Sequence, residues 1–366
     1  MQNFNNKKIL LAPLDWGLGH TTRCISIIKL LLDKGNSVTV ACNNRQKAIL
    51  FKEFSEIDFL FLEGYNVSYS NHKFFLPFKL IGQLPKINNR IYQEHKWLDK
   101  IIKERNFEVV ISDNRYGFYS KLVPSIFITH QLTIKAPFEW LEYLLQKINY
   151  SYINRFTQCW VPDYAGIKNI AGLLSHPKKL PAIPVHYIGP LARFKRNVQP
   201  LKDFKYAYCI ILSGPEPQRT ILENIIISQI HLISSNCLLI RGIPDDESDI
   251  IKNDSPFVTI LNHLKGTDLH DAILNSEYII TRSGYTSVME LMSLQKKTIL
   301  IPTPGQTEQE YIGEKLMNQK WALCIKQNDF NLGDDTKDAL NFDYQLPSFD
   351  DNNLELVVTN FLQSIQ

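Results

Sequence analysis

No Cys-x-x-Cys pair, no Asp-x-Asp and no run approaching the ~20 apolar residues of a membrane span occurs in the 366-residue sequence. The first absence leaves Cys24, Cys42, Cys159, Cys209, Cys237 and Cys324 scattered singly, mostly in apolar runs, which reads as buried reduced thiols rather than a metal or redox site. The second, with no evident His/carboxylate cluster, predicts that no metal or cofactor is required. A dominant charge is also lacking: 40 Lys and Arg stand against 37 Asp and Glu, so no global field would hold the chain on nucleic acid. The opening MQNFNNKKILLAPLDWG carries only a short apolar stretch after its lysines, too short for a signal-peptide core. These features predict a cytoplasmic protein.

What is present is a folding composition, 44% hydrophobic and 21% charged, in a chain too long for one ordinary core. The segment KKILLAPLDWGLGHTTRCISIIKLLLDKGNSVTVACN reads as strand, glycine-containing turn, amphipathic helix and second strand, one βαβ unit of a parallel sheet. Strand-length apolar runs follow at 59–62, 109–112, 125–129 and 159–161. The proline-rich stretch 181–200 suits an interdomain linker. A new βα series then begins, with strands at 208–212, 237–241, 258–261, 278–281 and 298–301. Residues 328–351 are acidic and polar and read as a loop, before a closing helix that must pack on a domain already built. The predicted plan is α/β: a doubly wound domain over 1–188, a linker over 189–200, a second such domain over 201–350, and the closing segment 351–366.

Polar clusters sit where strands give way to helices, the edge at which open α/β sheets bind ligands. The first contains Gly17, Gly19, His20 and Arg23. Its glycines would let backbone approach a ligand, and the free N–H groups of the helix start attract negative charge. A tight turn without a ligand would use the same glycines. A dinucleotide fingerprint would need glycine at 22 and an acid after strand two, where Thr22 and Asn43 stand, so NAD is not expected. Asp113 and Arg115 close another strand, Asp113 as a base, an anchor for Arg115 or a plain helix cap. His130 and Gln131 close the next, and convergence of the three clusters on one rim is the expectation. In the second domain, Ser213 and Gly214 open a further phosphate-cradle position, with Arg219 or Thr220 as supplements. Arg282, Ser283 and Gly284 open a helix carrying Glu290, a carboxylate set back where it would accept two ribose hydroxyls. Taken alone, Glu290 would equally suit a solvated helix face.

The stretch from Arg282 to Tyr311 resembles the C-terminal domain of family 28 glycosyltransferases, a family that includes a lipid-linked N-acetylglucosaminyltransferase of the peptidoglycan pathway. Arg282, Ser283, Gly284, Glu290, Pro302, Gln309 and Tyr311 match the family's donor pattern. Glu310 stands where a second glutamine would be, and Gly313 replaces an amide-bearing residue, which leaves the donor's sugar open. The resemblance extends weakly to 17–20, His130, Gln131 and 188–190. It implies a GT-B architecture, two Rossmann-like domains facing across a cleft. It also implies a UDP-sugar donor, an N-acetylhexosamine by analogy, with Glu290 on the ribose, Ser213 and Gly214 near the diphosphate, and His20 near a glycan or lipid-linked acceptor in cell-envelope synthesis.

The mechanism this predicts is direct displacement with inversion: His20 or Asp113 takes the acceptor proton while helix N-termini and Arg282 or Arg219 stabilise the departing diphosphate. A nucleotide-sugar 2-epimerase shares the two-domain plan, and a non-catalytic sugar-nucleotide sensor would keep the donor site alone. The segment around Phe74, Phe75 and Phe78 suggests peripheral contact with the inner face of a membrane, or else an internal flap.

Overall fold

The computed structural model describes residues 6–15, 18–65, 76–136, 138–193, 203–243, 255–264, 266–349 and 353–365, with the side chains of 18 and 76–85 left aside. The chain divides into two compact units, residues 1–193 with 350–366, and residues 194–349.

Unit 1 runs β1 (Lys8–Pro13), α1 (Leu18–Asp33), β2 (Ser37–Cys42), α2 (Asn44–Glu53), β3 (Asp58–Phe61), α3 (Leu76–Arg105), β4 (Val109–Asp113), β5 (Ser125–Ile128), α4 (Glu139–Ile153), β6 (Gln158–Val161) and β7 (Val185–Tyr187). Ile9, Leu10, Leu11 and Ala12 are wholly buried, as a central strand covered on both faces requires. Every pairing is parallel, and the strand order is β3-β2-β1-β4-β5-β6-β7. The order reverses direction between β1 and β4, where Pro13 lies opposite Asp113. Such a switch point opens a crevice at the strands' carboxyl ends.

Unit 2 repeats the plan with β8 (Tyr206–Ile211), α5 (Gln218–Gln229), β9 (Cys237–Ile240), β10 (Val258–Leu261), α6 (Gly266–Leu274), β11 (Ser276–Thr281), α7 (Tyr285–Ser293), β12 (Lys297–Leu300), α8 (Thr307–Asn318), β13 (Leu323–Cys324) and α9 (Leu332–Asn341). Its sheet is parallel in the order β10-β9-β8-β11-β12-β13, with the switch between β8 and β11. Helix α10 (Asn353–Ser364) belongs to unit 1, where Phe361 meets Trp160 edge-on at 5.7 Å.

Two expectations are corrected. The stretch 181–200 is not all linker, because Val185, His186 and Tyr187 pair with Cys159, Trp160 and Val161, while Pro184 and Pro190 flank the strand without interrupting it. Residues 328–351 are not all loop, because they contain α9. Asn331 caps that helix by accepting N–H groups from Gly333 and Asp334 at 3.0 Å, and Leu332, Thr336 and Ala339 bury one face while Asp334 and Asp338 stay exposed.

Candidate active site

At the switch point of unit 1, α1 returns over the end of β4. His20, Arg23 and Cys24 stand at i, i+3 and i+4 on one helix face, and all three reach Asp113. Arg23 Nε donates to both carboxylate oxygens at 3.1 and 3.0 Å, with Nη2 also on Oδ1. Nη1 of the same guanidinium donates to His130 Nδ1 at 3.3 Å. His20 Nδ1 lies 3.0 Å from Asp113 Oδ2, with 15% of the histidine side chain exposed and none of the aspartate.

The electrostatics follow from this packing. Burial pushes the Asp113 carboxyl up, but the charge of Arg23 and the contact with His20 outweigh it and hold the pKa well below the carboxylate range. Asp113 is therefore an anion at neutral pH. Burial lowers the pKa of His20, the Arg23 charge lowers it further, and Asp113 only partly offsets both. Neutral His20 with its proton on Nδ1, donated to Asp113, keeps the Nε2 lone pair available as a base. The ring is fixed at one nitrogen and reactive at the other.

The remaining unit 1 candidates lie differently. Arg115 turns away from this cluster: it binds Glu94, donates to Glu63 O at 2.9 Å and lies 5.0 Å over the Tyr65 ring. The Gln131 backbone N–H donates to Thr129 Oγ1 at 3.0 Å, and the Gly19 carbonyl accepts from Thr22 Oγ1 at 3.1 Å. Gly17, Phe74 and Phe75 lie outside the described residues, and of Phe78 only its place in α3 is described. Glu94 and Tyr65, joined to each other and to Arg115, were not anticipated. Nothing in the sequence marks Glu94, which sits mid-helix far from any motif.

At the switch point of unit 2, Gly214 has φ +104°, a conformation that favours glycine, and a Cβ placed there would meet only Thr303 Oγ1, at 3.8 Å. A Cβ on Gly284 would likewise meet only Gln309 Nε2, at 3.9 Å. Both backbones thus border open space. Gly284 is the N-cap of α7 and, having no side chain, supplies no capping hydrogen bond of its own. Arg282, wholly buried behind it, donates to the carbonyls of Ile301, Pro302 and Gln218 and to Gln327 Oε1, at 2.6 to 3.4 Å. No carboxylate pairs with it among the described residues, and burial pulls its pKa down to about 10, which still leaves a cation. Arg282 Nε and Thr303 Oγ1 are buried without a hydrogen-bond partner among the described residues.

The other unit 2 candidates shape this edge. Ser283 Oγ donates to Gln309 O at 2.8 Å, Gln309 Oε1 accepts Thr303 N–H at 2.9 Å, and Glu310 Oε1 accepts Gly305 N–H at 3.0 Å. Ser213 lies next to Gly214, and Glu290 is a buried residue in the second turn of α7. Gly313 is explained by packing, since a Cβ there would come within 2.6 Å of Cys324 Sγ and 3.1 Å of Pro302 Cγ. Arg219 is committed elsewhere, to Glu216 at 2.5 Å, Glu223 at 3.1 Å and Thr220 at 2.7 Å. Among the described residues, no group of three or more His, Cys, Asp or Glu is placed to hold a metal ion.

Residues 245–348 match the family model for the glycosyltransferase family 28 C-terminal domain. The chain is similar to an uncharacterized glycosyltransferase of Methanosarcina mazei, 25% identical over 334 residues that cover 83% of this chain and 81% of the relative. An uncharacterized glycosyltransferase of Methanosarcina acetivorans is 23% identical over 330 residues, with the same coverage. Among solved structures, MurG of Acinetobacter baumannii superposes with TM-score 0.60 at 12% identity, covering 98% of this chain and 99% of that one. CalG4, the calicheamicin glycosyltransferase, gives TM-score 0.64 at 9% identity, over 99% of this chain and 95% of its own. At these identities the structural likeness establishes the fold, GT-B.

Proposed function

We propose that this chain, a GT-B glycosyltransferase whose second unit carries a family 28 C-terminal domain, moves a sugar from a UDP-sugar to an acceptor hydroxyl with inversion at the anomeric carbon. Unit 1 takes the acceptor and unit 2 the donor. The observation that carries the reading is the contact of a neutral His20 with an ionised Asp113. Nε2 of His20 accepts the hydroxyl proton, the freed oxygen bonds to the anomeric carbon, and the bond from that carbon to the diphosphate breaks. Asp113 stabilises the imidazolium that forms. Arg23 locks the carboxylate in place, and the buried environment it shares keeps the base unprotonated beforehand.

On the donor side, the N-terminus of α7 and the Arg282 cation behind it favour the negative charge that grows on the leaving diphosphate. Ser213 and Gly214 supply close backbone approach, and Glu290 takes the ribose hydroxyls. Gln309 and Glu310 brace the loop at 303–306 and contact the sugar, an N-acetylhexosamine in this reading, destined for a glycan of the cell envelope. No metal takes part, a role the helix terminus and Arg282 fill.

The test is thermal stabilisation of the full chain by UDP, GDP, dTDP and NAD, followed by release of UDP from UDP-sugars with candidate acceptors. A shift with UDP that Glu290→Ala abolishes, and turnover that His20→Ala abolishes, support the reading. A product that keeps the donor's anomeric configuration would overturn the direct displacement.

A further inference from the structure

A cavity of about 320 Å³ opens in unit 1 between the exit of β3 and the middle of α3. That is the lower end of the range of ligand pockets, about 300–1,000 Å³, and suits a single ring. Its floor is charged and buried. Arg115 reaches from the end of β4 to bind Glu94 and to donate to the carbonyls of Pro13 at 3.4 Å and Glu63 at 2.9 Å, while the Tyr65 hydroxyl donates to the other oxygen of Glu94. Gly117 brings α3 this close, since a Cβ there would run into Ile91 O and lie 2.7 Å from Glu94 Oε2. The wall is a second ion pair, in contact with water, in which Arg90 donates to both oxygens of Glu63 at 2.7 and 2.5 Å. Phe61, 63% exposed, and the half-buried Trp97 add aromatic surface. All of these residues lie outside 245–348, the stretch that the family 28 model matches.

We propose that this cavity holds a neutral sugar ring of the acceptor, which makes the acceptor a glycan. Charge balance selects that ligand. Each arginine of the lining already has an acid, Arg90 with Glu63 and Arg115 with Glu94. Asp15, outside the lining, stands 3.7 Å from Arg115 and accepts the Tyr65 N–H at 3.1 Å. A phosphate or carboxylate would have to displace one of these acids, and finds no unanswered cation of the kind Arg282 offers in unit 2. Hydroxyls are a different case. A guanidinium and a carboxylate joined to each other keep spare donors and lone pairs at their edges, and a sugar hydroxyl, which both donates and accepts, bridges them without breaking the pair. Exposed Gln93 adds an amide of the same two-sided kind. The C–H face of a pyranose, slightly positive, suits the negative face of an aromatic ring. Arg115 follows Asp113 out of β4, so the cavity shares a sheet edge with the base, yet neither His20 nor Asp113 lines it. The ring held here is thus a neighbour of the reacting group. The assignment rests on the glycosyl-transfer reading only in calling that ring part of the acceptor.

The experiment is saturation-transfer NMR of the full chain with the methyl glycosides of glucose, galactose, mannose and N-acetylglucosamine, set against glucose 6-phosphate, glucuronate and glucosamine. The expected result is binding of at least one neutral glycoside, more tightly than any of the charged sugars. The Phe61→Ala, Arg90→Ala double variant, altered only at side chains in contact with water, should bind that glycoside at least about tenfold more weakly, with an unchanged melting midpoint and an unchanged UDP-induced shift. Glu63→Gln leaves Arg90 without its acid and should bring glucose 6-phosphate in. Wild-type protein that binds none of the neutral glycosides or prefers a charged sugar, a double variant that binds as the wild type does, or a Glu63→Gln variant with no gain for the phosphate overturns the proposal. A double variant that still transfers sugar to its acceptor at the wild-type rate also overturns it and leaves glycosyl transfer standing. Neutral-sugar binding that the double variant loses, without transfer from any UDP-sugar, upholds the cavity and removes the reaction instead.

Discussion

The two units share a strand order and a switch point, yet each handles a buried arginine there differently. In unit 1, Arg23 is met by a buried carboxylate brought by the neighbouring strand, so its charge is answered within the protein. In unit 2, Arg282 is held only by carbonyls and an amide, and its charge is left unanswered among the described residues. An arginine paired internally can orient and tune a catalytic group. One without a counter-ion leaves a site suited to a ligand that brings negative charge of its own. In the proposed reading, the same fold thus serves as a base at one edge and an anion receptor at the other.

The sharpest test of this contrast is His20→Ala. It should lower kcat in a UDP-release assay by about 10²- to 10⁴-fold while the UDP-induced rise in melting midpoint is kept. Loss of both together would erase the division between the edges. Next in size, Asp113→Ala strands Arg23 in a buried site and should destabilise unit 1 by about 3–5 kcal/mol in urea unfolding. Arg282→Met strands no charge, only carbonyls, and should cost about 1–3 kcal/mol; equal penalties would break the comparison. Its effect on ligand is expected to be selective. Losing a charged hydrogen-bonding group worth about 1.5–3 kcal/mol should weaken UDP by tenfold or more in calorimetry, with uridine almost unaffected.

The smallest effect is on pH. Burial, and then the charge of Arg23, lower the pKa of His20 from 6.5, so the base is neutral above that lowered value. The kcat/KM profile should therefore stay flat through neutrality and fall only as pH drops through a midpoint below 6.5. An acid limb at or above that value would point to a base other than His20.

Much of the frame could be read from the sequence because it is local. The apolar runs that became β1, β4, β8, β11 and β12 are bounded by turns, and right-handed crossovers leave few orders for such a series. The pairing of Arg23 with Asp113 could not be read, since it spans 90 positions and exists only once β1 and β4 lie side by side. Arg219 shows the converse. Its position beside a glycine turn suggests phosphate, while Glu223, one helical turn on, and Glu216 hold it locally. Helix α9 was hidden because Asp334, Asp335 and Asp338 dominate its composition, although the stripe of Leu332, Thr336 and Ala339 was there to be found.

Helix α10 sets an order on how the protein is made. Its residues emerge after the whole of unit 2, yet they finish unit 1 by laying Phe361 against the buried Trp160, with Lys34 and Glu355 joined at 3.1 Å. During synthesis the first unit must wait, its Trp160 face uncovered, while the second folds. A fragment of residues 1–193 reproduces that waiting state. Supplying α10 as a separate peptide should raise its melting midpoint, the delay made visible in a test tube.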